Sequence, residues 1–131
     1  MISKVEITIS IDGAKEIANL ICDNKDVTIT FTMKNGFNKT YSDSDFYRCF
    51  ARVREDNPNI QFLCKGSKIN VHPSSMSSQM SLGLKAYELT LGKASSLTDV
   101  VYIFDYDDNN LTNDPNEQQS FYRCWIESEK F

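Results

Sequence analysis

The chain has 131 residues, 40% hydrophobic and 24% charged, the balance of a globular domain long enough to bury a core without staples. Its net charge is −4, and the acid excess lies wholly in residues 66–131, which argues against a nucleic-acid partner held through phosphates. No apolar run approaches the roughly 20 residues that span a bilayer, so a single cytoplasmic domain with no membrane partner is expected over residues 1–131.

Val5, Ile7, Ile9 and Ile11 alternate, which predicts a first strand and not a signal peptide. After Asp12-Gly13, Ala14, Ile17, Ala18 and Ile21 recur at helical spacing, with Asp12 placed to cap and Glu16 in the first turn, so a helix is expected. Val27, Ile29, Phe31 and Met33 alternate again. Asn35-Gly36 then marks a hairpin into a strand from Phe37 to Tyr41. Ser42 and Asp45 have capping-box spacing for the next helix, with Tyr41 and Phe46 as its staple. Phe46, Cys49, Phe50 and Val53 are its apolar face, and Asn57-Pro58 stops it. Arg48, Arg52 and Arg54 read as its solvated side.

Ile60, Phe62 and Cys64, the Lys65-Gly66-Ser67 turn, and then Ile69 and Val71 make a hairpin pattern that His72-Pro73 ends. The Ser/Met-rich run to about Leu82 reads as a short helix or irregular connection, and Leu84 to Leu91 as a strand. Ser96 and Asp99 form another capping box, and Leu97, Val100, Val101 and Phe104 share a helical face. A short helix is expected there, although Val-Val-Tyr-Ile-Phe favours strand by propensity. Asp105 to Asn116 is a polar, flexible loop. Asp114, Pro115 and Glu117 then open a last helix that turns Phe121, Cys124 and Trp125 inward. The elements add up to an α+β domain, a largely antiparallel sheet with helices packed on one face. Trp125, Phe121, Phe50, Phe46 and Ile17 are expected in its core.

Chemistry-bearing patterns are sparse. Cys22, Cys49, Cys64 and Cys124 stand far apart at apolar positions, read as reduced core residues, and lack metal-ligand spacing. Asp105, Asp107 and Asn109 match the start of a calcium loop, but Asn110 and Asn116 stand where Gly and a bidentate Glu are required. His72 is the only histidine, with no local nucleophile signature beside it. No cofactor, metal or catalytic set is expected, and the pattern is that of a binding module. Between Lys93 and Arg123 lie six carboxylates and no Lys or Arg, which suits a basic partner.

Phe62-Leu63-Cys64 before a Gly turn is followed by Val71-His72-Pro73-Ser74, by Met76, Met80, Gly83, Ala86 and Tyr87, and by Leu91-Gly92-Lys93 and Ile103-Phe104-Asp105. With these features the stretch from Ile60 to Tyr106 resembles small bacterial immunity proteins of polymorphic-toxin and contact-dependent growth inhibition systems. Residues 1–40 carry nothing of the resemblance. It implies a cytoplasmic antidote without catalysis, which binds the toxin domain of a cognate effector, commonly a nuclease with a basic cleft. On that reading the toxin-facing region is Asp105, Asp107, Asp108 and Asp114, with Tyr102 and Tyr106 as aromatic anchors. The connection at 74–80 is the next candidate. The alternative is a small enzyme or ligand-binding domain with a pocket near His72.

Overall fold

The structure is a computed structural model in which residues 1–130 are described. β1 (Ile2–Ile11) and β2 (Ala14–Asp23) pair antiparallel along their whole length, from Ile2 opposite Asp23 to Ile11 opposite Ala14. β3 (Thr28–Thr32) and β4 (Asn38–Ser42) continue the meander. β5 (Ile60–Phe62) joins the other side of β1, giving the order β4-β3-β2-β1-β5. A second antiparallel sheet holds β6 (Val71–His72), β7 (Lys85–Glu88) and β8 (Val100–Tyr102) in sequence order. The helices are α1 (Phe46–Asp56), α2 (Ser75–Ser81) and α3 (Pro115–Glu127). The fold is α+β, with its strands divided between two sheets rather than gathered in one.

The expected helix over 14–21 is strand β2. Asp12 and Gly13 both take positive φ, 51° and 83°, the backbone of a tight hairpin turn, so the chain doubles straight back on β1. In a strand the inward set is Ala18, Leu20 and Cys22, which leaves Ile17 and Ile21 on the outer face, 45% and 37% exposed. Ile17 is therefore not a core residue. The expected hairpin over 60–71 does not form either. β5 pairs with β1, Lys65–Ser67 is a single 3-10 turn, and β6 pairs with β7. Gly66 is needed there for close approach, since a Cβ would lie 2.8 Å from Cβ of Ile103. The Ser96–Asp99 capping box is present, but it starts only one 3-10 turn, Leu97–Asp99, before the β-branched run becomes β8. The strand expected from Leu84 to Leu91 is confined to β7.

α1 lies on the inner face of the larger sheet, where Phe46, Cys49, Phe50 and Val53 meet Ile29, Phe31 and Phe62. Phe50 packs edge-on against Phe62 and Phe104, with centroids 5.8 and 5.3 Å away. Its cap is Asp45 rather than Ser42: the Asp45 carboxylate accepts the N–H of Arg48 at 2.8 Å. Arg54, expected on the solvated side, is fully buried. Its Nε donates to the carbonyl of Thr112, its Nη2 to Oε1 of Gln118 at 2.7 Å, and its guanidinium sits over the Phe50 ring.

α3 is held mainly by polar contacts. Gln118 is its one buried residue, and its amide donates to the carbonyls of Gly66 and Lys68 at 2.9 and 2.8 Å. Phe121 and Trp125 are half-buried rather than core, and Cys124 is exposed. Trp125 Nε1 donates to the carbonyl of Lys93. The other three cysteines are buried and free, as expected. Among the described residues no helix is long and apolar enough to cross a membrane.

Candidate functional site

The segment that follows β8 runs back across the joint between the two sheets. Hydrogen bonds to the main chain of residues 63–69 tie it down at close intervals. Lys65 N–H donates to Asp105 O at 2.8 Å, Asp107 N–H to Leu63 O at 3.2 Å, Ile69 N–H to Asn110 O at 2.9 Å, and Thr112 N–H to Ser67 O at 2.9 Å. Isolated bridges at Cys64–Tyr106 and Lys68–Leu111 belong to the same seam. A loop expected to be flexible is thus bonded to residues 63–69 at every second or third residue.

The six carboxylates of the acidic stretch have different employments. Asp107 sits between Lys65 and Lys68, 3.0 and 3.1 Å from their ammonium groups, and also accepts the N–H of Asn109. Burial works to raise its pKa, but these donors outweigh it and hold the carboxyl at about 2. Glu88 closes the cluster from β7, 3.6 and 3.5 Å from the same two lysines. Asp114 caps α3 through the N–H of Asn116, Glu117 accepts from Thr112, and Asp99 serves the capping box with Lys93 at 3.5 Å. The cations that the stretch lacks in sequence are supplied in space, by residues 65, 68 and 93. Among the described residues, the two carboxylates of the stretch with no side-chain hydrogen bond or ion pair are Asp105 and Asp108, both exposed, on either side of the paired Asp107.

Between them Tyr106 stands 50% exposed, its hydroxyl accepting from Nζ of Lys15 at 2.8 Å. Of the two aromatic anchors expected, Tyr102 is instead half-buried and packs edge-on against Phe104 at 5.5 Å. The structure therefore brings Asp105, Tyr106 and Asp108 together on one rigid turn, assigns Asp107 and Asp114 to structural bonds, and places Tyr102 at the edge of the core. Lys15 joins this group through the fold alone. It lies 91 residues away in sequence, in a segment whose pattern read as helix.

His72 lies at the floor of a cleft of ≈ 320 Å³ between α1 and the start of α3, lined by Tyr47, Arg48, Arg52 and Gln119 among others. Its ring stacks on Tyr122 at 3.9 Å and 7°, with Tyr47 tilted against it at 5.5 Å. Nδ1 lies 2.8 Å from the carbonyl of Pro73, an acceptor, so it is the protonated nitrogen. Burial, with Arg48 adding to it, lowers its pKa and favours the neutral ring. The nearby serines are spoken for: Ser74 caps α2 through Ser77, and Ser78 donates to the buried carboxylate of Asp45 at 2.6 Å. Burial pushes the thiols of Cys22 and Cys64 up to about 12 and that of Cys49 to about 11, so all three stay protonated at neutral pH. Among the described residues no group of three or more His, Cys, Asp or Glu comes together in a form that could hold a metal. No protein-family model matches the chain, and no curated protein matches it either.

Proposed function

We propose that the chain is a protein-binding module of the immunity type. It docks on the toxin domain of a cognate polymorphic or contact-dependent effector, in the cytoplasm, and neutralises it without chemistry of its own. The target class that fits the resemblance is a nuclease domain with a basic cleft. The observation that carries this reading is the bonded turn at 105–108. It presents a half-exposed tyrosine flanked by two carboxylates that are unpaired among the described residues, on backbone held by bonds to residues 63–69. A surface ordered before encounter loses little conformational entropy on binding, and a tyrosine at its centre is a common anchor of tight interfaces. Asp105 and Asp108 would steer a basic cleft, while Asp107 holds the turn in shape.

The alternative, a small enzyme or ligand-binding domain, draws on the His72 cleft. That cleft, at ≈ 320 Å³, is at the low end for a ligand site, and the hydroxyls of Ser74 and Ser78 near His72 already serve α2 and α1 as caps and ties. Docking through the turn accounts for more of the geometry.

The test is growth rescue by co-expression with the toxin domain encoded next to this chain, coupled to measured binding. Natural chain should rescue. Tyr106→Ala combined with Asp108→Asn should weaken binding at least tenfold, about 1.4 kcal/mol, while the thermal midpoint stays put. Unchanged binding by the double variant would move the interface elsewhere, first to α2. Failure of the natural chain to bind or rescue would remove the immunity reading.

A further inference from the structure

The larger sheet ends on β4, and the main-chain groups along its outer side are unanswered. Met33 N–H donates to Phe37 O at 2.9 Å, which sets the parity of the β3–β4 ladder. Hydrogen-bonded pairs alternate, so Phe31–Lys39 and Ile29–Tyr41 exchange bonds, and the N–H and C=O groups of Asn38, Thr40 and Ser42 point away from β3. Among the described residues no hydrogen bond uses them. The usual guards of an open edge are missing, for β4 has neither proline nor bulge. Its one lysine is drawn off the edge, with Nζ of Lys39 2.8 Å from Asp56 of α1.

Beside this edge runs a groove of ≈ 440 Å³ between β4 and α1, lined by Lys39, Tyr41, Arg52, Glu55 and Asp56 among others. It carries two cations and two carboxylates, so a partner of a single sign gains nothing there. A second copy of the same chain does. We propose that β4 is the seat of a homodimer, in which two copies pair antiparallel through Asn38–Ser42 about a twofold axis at Thr40. Thr40 then exchanges both main-chain bonds with its counterpart, and Asn38 does so with Ser42 of the second copy in each direction. On the inner face Lys39 comes opposite Tyr41 of the second copy, whose hydroxyl donates to Asp56 at 2.6 Å, so the ammonium of one chain reaches the carboxylate of the other. The twofold also sets α1 against α1. There Glu55, which has no ion-pair partner among the described residues, faces Arg52, whose bond to Asp43 uses only Nε.

This dimer uses a surface distinct from the 105–108 turn and stands whether or not the chain binds a toxin. The experiment is sedimentation velocity across concentration, with amide exchange followed residue by residue on the full chain. The expected result is a shift from one chain mass to two as concentration rises, with the Asn38, Thr40 and Ser42 amides slowing in step. Thr40→Pro should abolish the shift, because it removes an outward N–H that the monomer does not use and leaves the ladder to β3 intact. If that variant misfolds, amide exchange on the natural chain decides. A single chain mass at every concentration would overturn the proposal. So would a dimer in which these three amides exchange at the monomer rate, including one protected instead on the open part of β1 at Ile2, Lys4 and Glu6. A Thr40→Pro chain that folds and still dimerises would overturn it as well.

Discussion

Arg54 is a buried cation with no ion-pair partner among the described residues. Its charge is spread over the Thr112 carbonyl, the Gln118 amide and the Phe50 face, and burial lowers its pKa to about 10. Among the described residues Nη1 finds no partner. Arg54→Ala should cost about 3–5 kcal/mol in urea unfolding, because it leaves a cavity and strips two buried acceptors of their donor. A loss under 1 kcal/mol would mean that the guanidinium is solvated after all. Gly66 makes a second residue-level claim: in Gly66→Ala the new Cβ meets Cβ and O of Ile103 at 2.8 and 3.0 Å and the Phe50 ring at 3.3 Å. With both walls in the core, a penalty of about 1–3 kcal/mol is expected from overpacking, read as a lower thermal midpoint.

Among the elements, α3 sends a single side chain into the core. Gln118 bridges Arg54 of α1 to the carbonyls of Gly66 and Lys68, while the rest of the helix rests on half-buried rings. Gln118→Ala should therefore raise amide exchange in α3 much more than in β1 to β4, and uniform loss of protection would refute that local attachment. The sequence foretold β1 and β3 from their alternation, β4 from the Asn35-Gly36 turn before it, and α1 and α3 from the capping residues at their starts. β2 deceived because Ala14, Ile17, Ala18 and Ile21 fit a helix while Ala18, Leu20 and Cys22 fit a strand, and only the turn at Asp12-Gly13 chose between them. The Lys65–Ser67 turn misled for another reason. Its glycine answers a distant neighbour, Ile103, which no local pattern contains. The site was legible to the same degree. Asp105, Tyr106 and Asp108 are exposed on one turn, but the use of Asp107 by Lys65 and Lys68 is a long-range fact.

For the molecule as a whole, His72 and Asp107 both act on the acid side of stability, beside Asp43, Asp56 and Asp99, whose carboxyls are also held below the ordinary range. His72 has a folded pKa depressed below its ordinary 6.5 by burial, so the stability it contributes is complete above 6.5 and fades as pH falls through its lowered value. Asp107 is depressed from 3.8 to about 2, so its contribution is whole above 3.8 and disappears as pH falls to about 2. Acid unfolding should show an earlier, shallow loss and a later one. Asp107→Asn should make the later limb shallower and leave the earlier one unchanged, measured as urea midpoint against pH. A variant with the natural slope between pH 4 and 2 would detach Asp107 from that limb.

The seam between residues 63–69 and residues 103–112 also sets an order of events. β1 to β4 form a meander of successive hairpins, contacts that close locally on the scale of about 1–10 μs each. The seam joins positions some forty residues apart, as Cys64–Tyr106 and Lys68–Leu111 do, and β6 and α3 rest on it. Its loop closure must be met before those contacts return anything. The meander is thus expected to form first and the seam more slowly, with the turn that presents Tyr106 completed after the meander.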